Sequence, residues 1–207
     1  MTKPNRLIQL FVRGDVSAFH QACRDLEPEQ LSLSGSTFRN LQLAGFDLSS
    51  FDLSSTEWEN CTLSAMKWDR ADLSGAYFNG CALVECSFEE ANLDGCAIDG
   101  SVIQNTSLLN ANLDATEMEN TQVQSCTIDT CTLNEIAWIR VSFKGGVLSN
   151  LSNATGELKG IDLRDVTLNQ VDLSSLSTSR CHHFGCKLEG SELPEGFSLK
   201  SGRRRAL

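Results

Sequence analysis

The chain has 207 residues, 41% of them apolar, and a formal net charge of -10, enough for one folded domain with or without a small extension. No stretch reaches eighteen apolar residues, and MTKPNRLIQLFVRGD has too short an apolar run before Arg13 and Asp15 for a secretory leader, which predicts a soluble cytoplasmic protein whose nine cysteines are free thiols. Residues 71–139 hold eleven acids and no Lys or Arg, which argues against direct binding of nucleic acid or anionic membrane there and suits solubility or a basic partner.

Leu7, Ile8, Leu10 and Phe11 are followed by Gly14, then by Asp15 ahead of Val16, Phe19 and Cys23. This spacing predicts two short helices with Asp15 as the N-cap of the second. Residues 1–30 are too few for an independent core, so they read as a helical cap on the rest of the chain.

From Leu33 the apolar pattern has a period of five. Stepping by five from Leu33 to Leu193, thirty of thirty-three residues are large and apolar, with Asn153, Thr178 and His183 the exceptions. The residue two before each of these centres is small or apolar through the middle of the run, as at Ala71, Ala76, Cys81 and Cys86. The residue two after is often Gly or Asn, which tolerate the positive φ of a turn. Neighbouring centres would lie about 140° apart on a helix, and two-residue alternation is broken at each repeat. Each pentapeptide is therefore a short extended piece and a corner, and stacked corners make a coil with parallel ladders. Pro28 and Pro194 bracket the block, where a missing donor does no harm.

The pattern resembles the pentapeptide-repeat family, whose consensus A(D/N)LXX is seen in ADLSG (71–75), ANLDG (91–95), ANLDA (111–115), FDLSS (51–55) and VDLSS (171–175). The resemblance implies an all-β repeat solenoid over residues 31–193, a right-handed quadrilateral β-helix of four pentapeptides per coil. That amounts to about eight coils, roughly 40 Å long at the ladder spacing. Asn153 and the 178–183 region keep the register, so they read as local bulges. GDVSAFHQACRD also looks like the helical lead-in of many family members. The tail, residues 194–207, offers no obvious cap. A second copy over the last coil would cover it, a tail-to-tail homodimer that the resemblance to dimeric members also suggests. Arg203 to Arg205 read as a solvated tail.

Eight of the nine cysteines, all but Cys23, fall in the small inward slot, which predicts thiols packed as small hydrophobes. Cys61 and Cys81 stack one coil apart, with parallel side chains that leave a disulfide unproven. The stretch CHHFGC, Cys181 to Cys186, offers two thiols and two imidazoles, the ligand set zinc prefers. The coil points His182 outward and both thiols inward on adjacent faces, so no metal is assigned. No nucleophile elbow or phosphate loop is present, and the paired Glu89 and Glu90 lie on a convex wall. The expectation is a non-enzyme without cofactor or catalytic residue.

What remains is the surface. Sorted by face, centres 33, 53 and 73 define the first, 38, 58 and 78 the second, 43, 63 and 83 the third, and 48, 68 and 88 the fourth. The third face holds one charge among fifteen outward residues between 31 and 139, and the other acids spread over the remaining faces. Asp52, Asp72, Asp94, Asp114 and Glu135 read as a ladder on the first face. Stacked like charges repel, so the fold gains nothing from such a ladder. Family members that protect DNA gyrase from quinolones or toxins are understood as mimics of duplex DNA. The resemblance thus implies an acidic rod that binds a type II topoisomerase or another DNA-binding protein. Its partner-binding residues would be Asp52, Asp72, Glu89, Glu90, Asp94, Asp99, Asp114, Glu117, Glu119 and Glu135. This chain lacks the projecting loop insertions of several gyrase protectors. The alternative is a structural or adaptor protein, for example in a secretion assembly, binding through the neutral third face with Val84, Val102 and Phe184.

Overall fold

The computed structural model describes residues 3–191 and 193–199, and the side chains of these except 3–5 and 199. The arginines at 203–205 lie outside the described residues. Helices α1 (Lys3–Val12) and α2 (Val16–Cys23) meet at Gly14, φ 72°. Asp15 caps α2 as its position suggested, its Oδ1 accepting the Ala18 N–H at 3.0 Å. A short 3-10 turn, Pro28–Gln30, leads into the repeats.

The repeats form a parallel solenoid in which each coil lies on the next with a step of twenty residues, as in Phe38 to Trp58 to Phe78. The second face is an eight-stranded parallel sheet and the third a nine-stranded one. The fourth face becomes a sheet only from Ser107–Leu109 onward. The first face pairs through isolated bridges such as Asp52 to Asp72 and Asn92 to Asn112. The fold class is thus the one expected. The central residue of each three-residue strand from Thr37–Arg39 to Asp162–Arg164 is buried, Leu188 in the last coil is not, and the wall encloses one continuous apolar core. Its N-terminal third is aromatic: Phe11, Phe19, Phe38, Phe46, Trp58, Trp68 and Phe78 are all at most 1% exposed.

At the corners the structure is broader than the Gly/Asn pattern predicts. Positive φ recurs at nearly every fifth residue, not only at Gly80 or Asn105 but at Ser50, Arg70, Glu90, Ala115 and Thr130. Corner N–H groups donate to a carbonyl of the next coil, for example Ser50 to Asp69 at 2.9 Å and Thr130 to Ser149 at 3.1 Å, or at Glu135 to the Thr155 hydroxyl at 2.9 Å. The ladder therefore holds side-chain-bearing residues where they would not settle alone. Thr130, β-branched at φ 55°, carries the largest penalty of this kind. Thr130→Asn is expected to stabilise the chain by about 1 kcal/mol, read as a higher urea midpoint at unchanged slope.

Asn153 departs as a bulge that keeps register. It turns outward with φ 58°, and Ala154, 1% exposed, fills the inward place instead. Leu158 still pairs with Trp138. At the far end the structure differs from the expectation of an uncapped tail. Phe197–Leu199 adds a strand on Cys181–His183, with a step of sixteen residues rather than twenty. The half-buried Phe197 packs on the core beside Leu163, Leu173 and Leu176. A five-residue scan stops at Leu193 because this last coil is short.

Candidate functional site

The inward slot does more than exclude bulk. Cys61 Sγ donates to the Phe38 and Glu59 carbonyls at 3.4 Å each, and Cys86 Sγ to Leu63 at 3.4 Å and Val84 at 3.5 Å. Cys131 Sγ reaches Leu108 at 2.9 Å. Ser101 and Thr121 take the same slot and donate to the Asp99 and Glu119 carbonyls, both at 2.9 Å. The slot thus accepts a small side chain with one weak donor, which size alone did not reveal. Burial pushes the Cys96 thiol up to about 12 and those of Cys86 and Cys131 to about 11. A hydrogen bond with Cys61, then burial, holds Cys81 far above the ordinary thiol value. Neutral buried thiols are poor nucleophiles.

The CHHFGC residues are split by the wall. Cys181 is fully buried and donates to the Leu158 carbonyl at 3.4 Å, while Cys186 bonds Leu163 at 3.6 Å. His182 points out, its Nδ1 2.7 Å from Ser198 Oγ. Among the described residues no three His, Cys, Asp or Glu side chains converge as metal ligands.

The first-face acids do not form one ladder. Asp52 and Asp72 stand just before their centres, Asp94 and Asp114 just after, and Glu135 at a corner, φ 58°. Asp52 and Asp72 are tied into the fold. Asp52 accepts the Ser54 N–H at 3.1 Å and the Ser32 hydroxyl at 3.0 Å, and Asp72 accepts the Ser74 N–H at 3.0 Å. The column continues upward as Asn92 to Asp72, Asn112 to Asn92 and Thr132 to Asn112, at 2.8 to 3.0 Å. Burial raises the Asp52 carboxyl, but the bonds from Ser54 and Ser32 outweigh it and hold it below the usual range. The expectation that the fold gains nothing from these charges is corrected: the Asp or Asn of each consensus caps the following corner. Asp114 is likewise held by Asn134, whose N–H donates at 2.8 Å.

On the second face Glu119 pairs with Arg140, and Asp99 accepts from Asn120 at 3.2 Å. Arg140 was missed because it lies just past the base-free stretch yet stacks one coil above Asn120, 2.7 Å away. Glu85, Glu89, Glu90, Asp94, Glu117 and Glu135 have no side-chain partner among the described residues. Four of them, with Asp99, belong to the single coil 81–100, so charge rings the rod at one height, with Glu85 the one charge it places on the third face.

The third face brings Val84 and Val102 together on adjacent coils, half-buried beside Ala82. Phe184, 44% exposed, is separated from Val84 by five ladder steps through Gln104, Gln124, Lys144 and Arg164. Among the described residues no helix is long and apolar enough to cross a membrane.

The model of the family described as pentapeptide repeats matches residues 59–95 and 71–108, with eight copies. Residues 59–108 are pentapeptide repeats of this family. Similar solved structures include HetL, a pentapeptide repeat protein involved in heterocyst differentiation regulation from the cyanobacterium Nostoc sp. (20% identity, 82% of this chain and 86% of that one, TM-score 0.35). Another is full-length QnrB1, a plasmid-mediated fluoroquinolone resistance protein (20%, 84% and 88%, TM-score 0.38). A third is Rfr23, a pentapeptide repeat protein from the cyanobacterium Cyanothece (18%, 60% and 92%, TM-score 0.43). No curated protein matches the chain.

As a pentapeptide-repeat wall the surface is convex and regular, and its chemistry is that of presented charge. Inward residues set the core, while outward residues other than the corner-capping Asp and Asn vary at small cost to the ladder.

Proposed function

We propose that this pentapeptide-repeat protein is a non-catalytic binding module, an acidic rod that occupies the basic DNA-binding surface of another protein, most concretely a type II topoisomerase such as DNA gyrase. The observation that carries the reading is the set of unpartnered carboxylates on a wall whose stretch 71–139 holds no Lys or Arg. Duplex DNA carries one phosphate about every 3.4 Å along each strand. A ladder of about 4.8 Å per layer repeats charge on a comparable scale, and it holds the charges stiffly. A basic groove that releases counterions on DNA gains the same way from such a wall.

The test is gyrase supercoiling and quinolone-induced cleavage with the protein added, beside the triple variant Asp72→Asn, Asp94→Asn, Asp114→Asn. Asn at 72 and 114 still accepts the corner bonds, so the fold is kept while three charges go. The expected result is an effect of the native chain that is weakened about tenfold in the variant. No effect at micromolar protein would remove the gyrase reading.

The neutral patch of Ala82, Val84 and Val102 supports the adaptor as a second reading. Partners lost on Val102→Glu but kept by the triple variant would favour it.

A further inference from the structure

Side chains in one outward column stand one coil apart, so an alanine between two long residues leaves a gap one residue wide. On the second face the column just before the centres reads Glu57, Tyr77, Ala97, Glu117 and Ala137. The column just after reads Arg39, Glu59, Asn79, Asp99, Glu119 and Ile139. Around the two alanines this opens a hollow of about 340 Å³, walled by Tyr77, Asp99, Glu117 and Glu119, with Ile139 beside the alanine floor.

The lining has a sign and a shape. Glu117 has no partner among the described residues, and Asp99 has one carboxylate oxygen engaged by Asn120 and the other open. The Tyr77 hydroxyl makes no hydrogen bond among the described residues. Burial, then the charges of Asp99 and Glu59, push that phenol up, and the ladder register sets Tyr77 diagonal to both residues. The same face also shows what it accepts. Arg39 grips Glu59 through Nε and Nη2 at 2.7 and 3.1 Å, and the Arg140 guanidinium engages Glu119 and Asn120. Two of the three ion pairs among the described residues lie here, and both use guanidinium. They close the acidic column at its two ends and leave its middle unfilled.

We propose that this hollow receives an arginine side chain from a protein partner, its guanidinium on Asp99 and Glu117, its flat face over Tyr77, and its methylene stem on Ala97. A planar fork meets two carboxylates and stacks on an aromatic ring, which a lysine ammonium does less well. The stem has an apolar floor to cover. The inference rests on the reading of the wall as a surface for a basic protein, and it gives that reading one address.

The test titrates the full chain, labelled at alanine methyls, with acetyl-Gly-Arg-Gly-amide and with the matching lysine and citrulline peptides. The arginine peptide is expected to shift the Ala97 and Ala137 methyls saturably, with lysine weaker and citrulline without effect. Ala97→Gln, which fills the gap, and Glu117→Gln, which keeps its shape, should each weaken binding by about fivefold. Glu85→Gln, at a corner away from this face, should change nothing. Equal shifts at Ala44 and Ala82 on the third face, shifts reproduced by citrulline, or none at millimolar peptide would overturn the proposal. Peptide binding here without any effect of the protein on supercoiling would sink the topoisomerase reading alone. A supercoiling effect that Ala97→Gln leaves intact, with no peptide shift, would sink the hollow alone.

Discussion

Phe11→Ala is expected to cost about 3–5 kcal/mol and to unravel the rod from one end. Phe11 is fully buried, with ring centroids 5.6 Å from Phe19, 5.1 Å from Phe38, 4.7 Å from Phe46 and 6.0 Å from Trp58. It is the point at which α1 plugs the first coil. Without it the core there opens to water, since α2 reaches the coil only through Phe19 and its neighbours. Coils of a solenoid contact only their neighbours, so the loss should be local. Trp58 and Trp68 sit near this end and Trp138 five coils beyond Phe38. Hydrogen exchange should show lost protection over residues 33–70 with residues 98–148 still protected, and Trp138 fluorescence should report a later transition than Trp58. Asp15→Ala removes only the cap of α2 and should cost about 1 kcal/mol. A loss for Phe11→Ala no larger than this, or one spread evenly over all coils, would show that α1 does not hold the end closed.

The parts that were legible in the sequence and those that were not differ in reach. A period of five announces itself because a large apolar centre recurs at every fifth residue, so Leu33 to Leu148 could be placed inward one by one. Asp15 was legible because its partner, Ala18, is three residues away. The site depends on partners about twenty residues away, which no local pattern displays. Asp72 looked like a free charge, but Asn92 and Ser74 occupy it. Glu119 looked like part of an unbroken acidic stretch, but Arg140 lies just beyond it and folds over it. The hollow is visible only when every twentieth residue is read together, Tyr77 beside Ala97 beside Glu117. Phe197 escaped because its coil is four residues short. The corner residues Glu90 and Arg70 carry no sign of positive φ in their chemistry, since the ladder, not the side chain, imposes it.

Gly156→Ala is expected to be the most damaging single methyl that can be added to the wall. Gly156 occupies an inward slot at φ 120°, a region that side-chain-bearing residues essentially never adopt, and a Cβ there would fall within the Ile136 peptide group of the coil below. Neither partner can yield, because Ile136 is itself tied by its N–H to the Thr155 carbonyl at 3.0 Å and pairs with Gly156 in the ladder. Gly156 lies just after the bulge at Asn153, where Ala154 turns in and the chain re-enters the wall. Gly100→Ala is the control. Its φ of 57° matches that of Ala115 at 53°, and nothing lies within 4 Å of the added methyl. Urea unfolding should show a loss of about 1 kcal/mol for Gly100→Ala and more than about 3 kcal/mol for Gly156→Ala. Equal losses would mean that the backbone at Ile136 moves freely. The difference bears on the surface as well as on stability, because every coil above Gly156 takes its register from this re-entry. A slip there would move Arg164 out of register with Lys144 and carry Phe184 away from its row, while the acidic coil at 81–100, lying below the bulge, would keep its ring of charge.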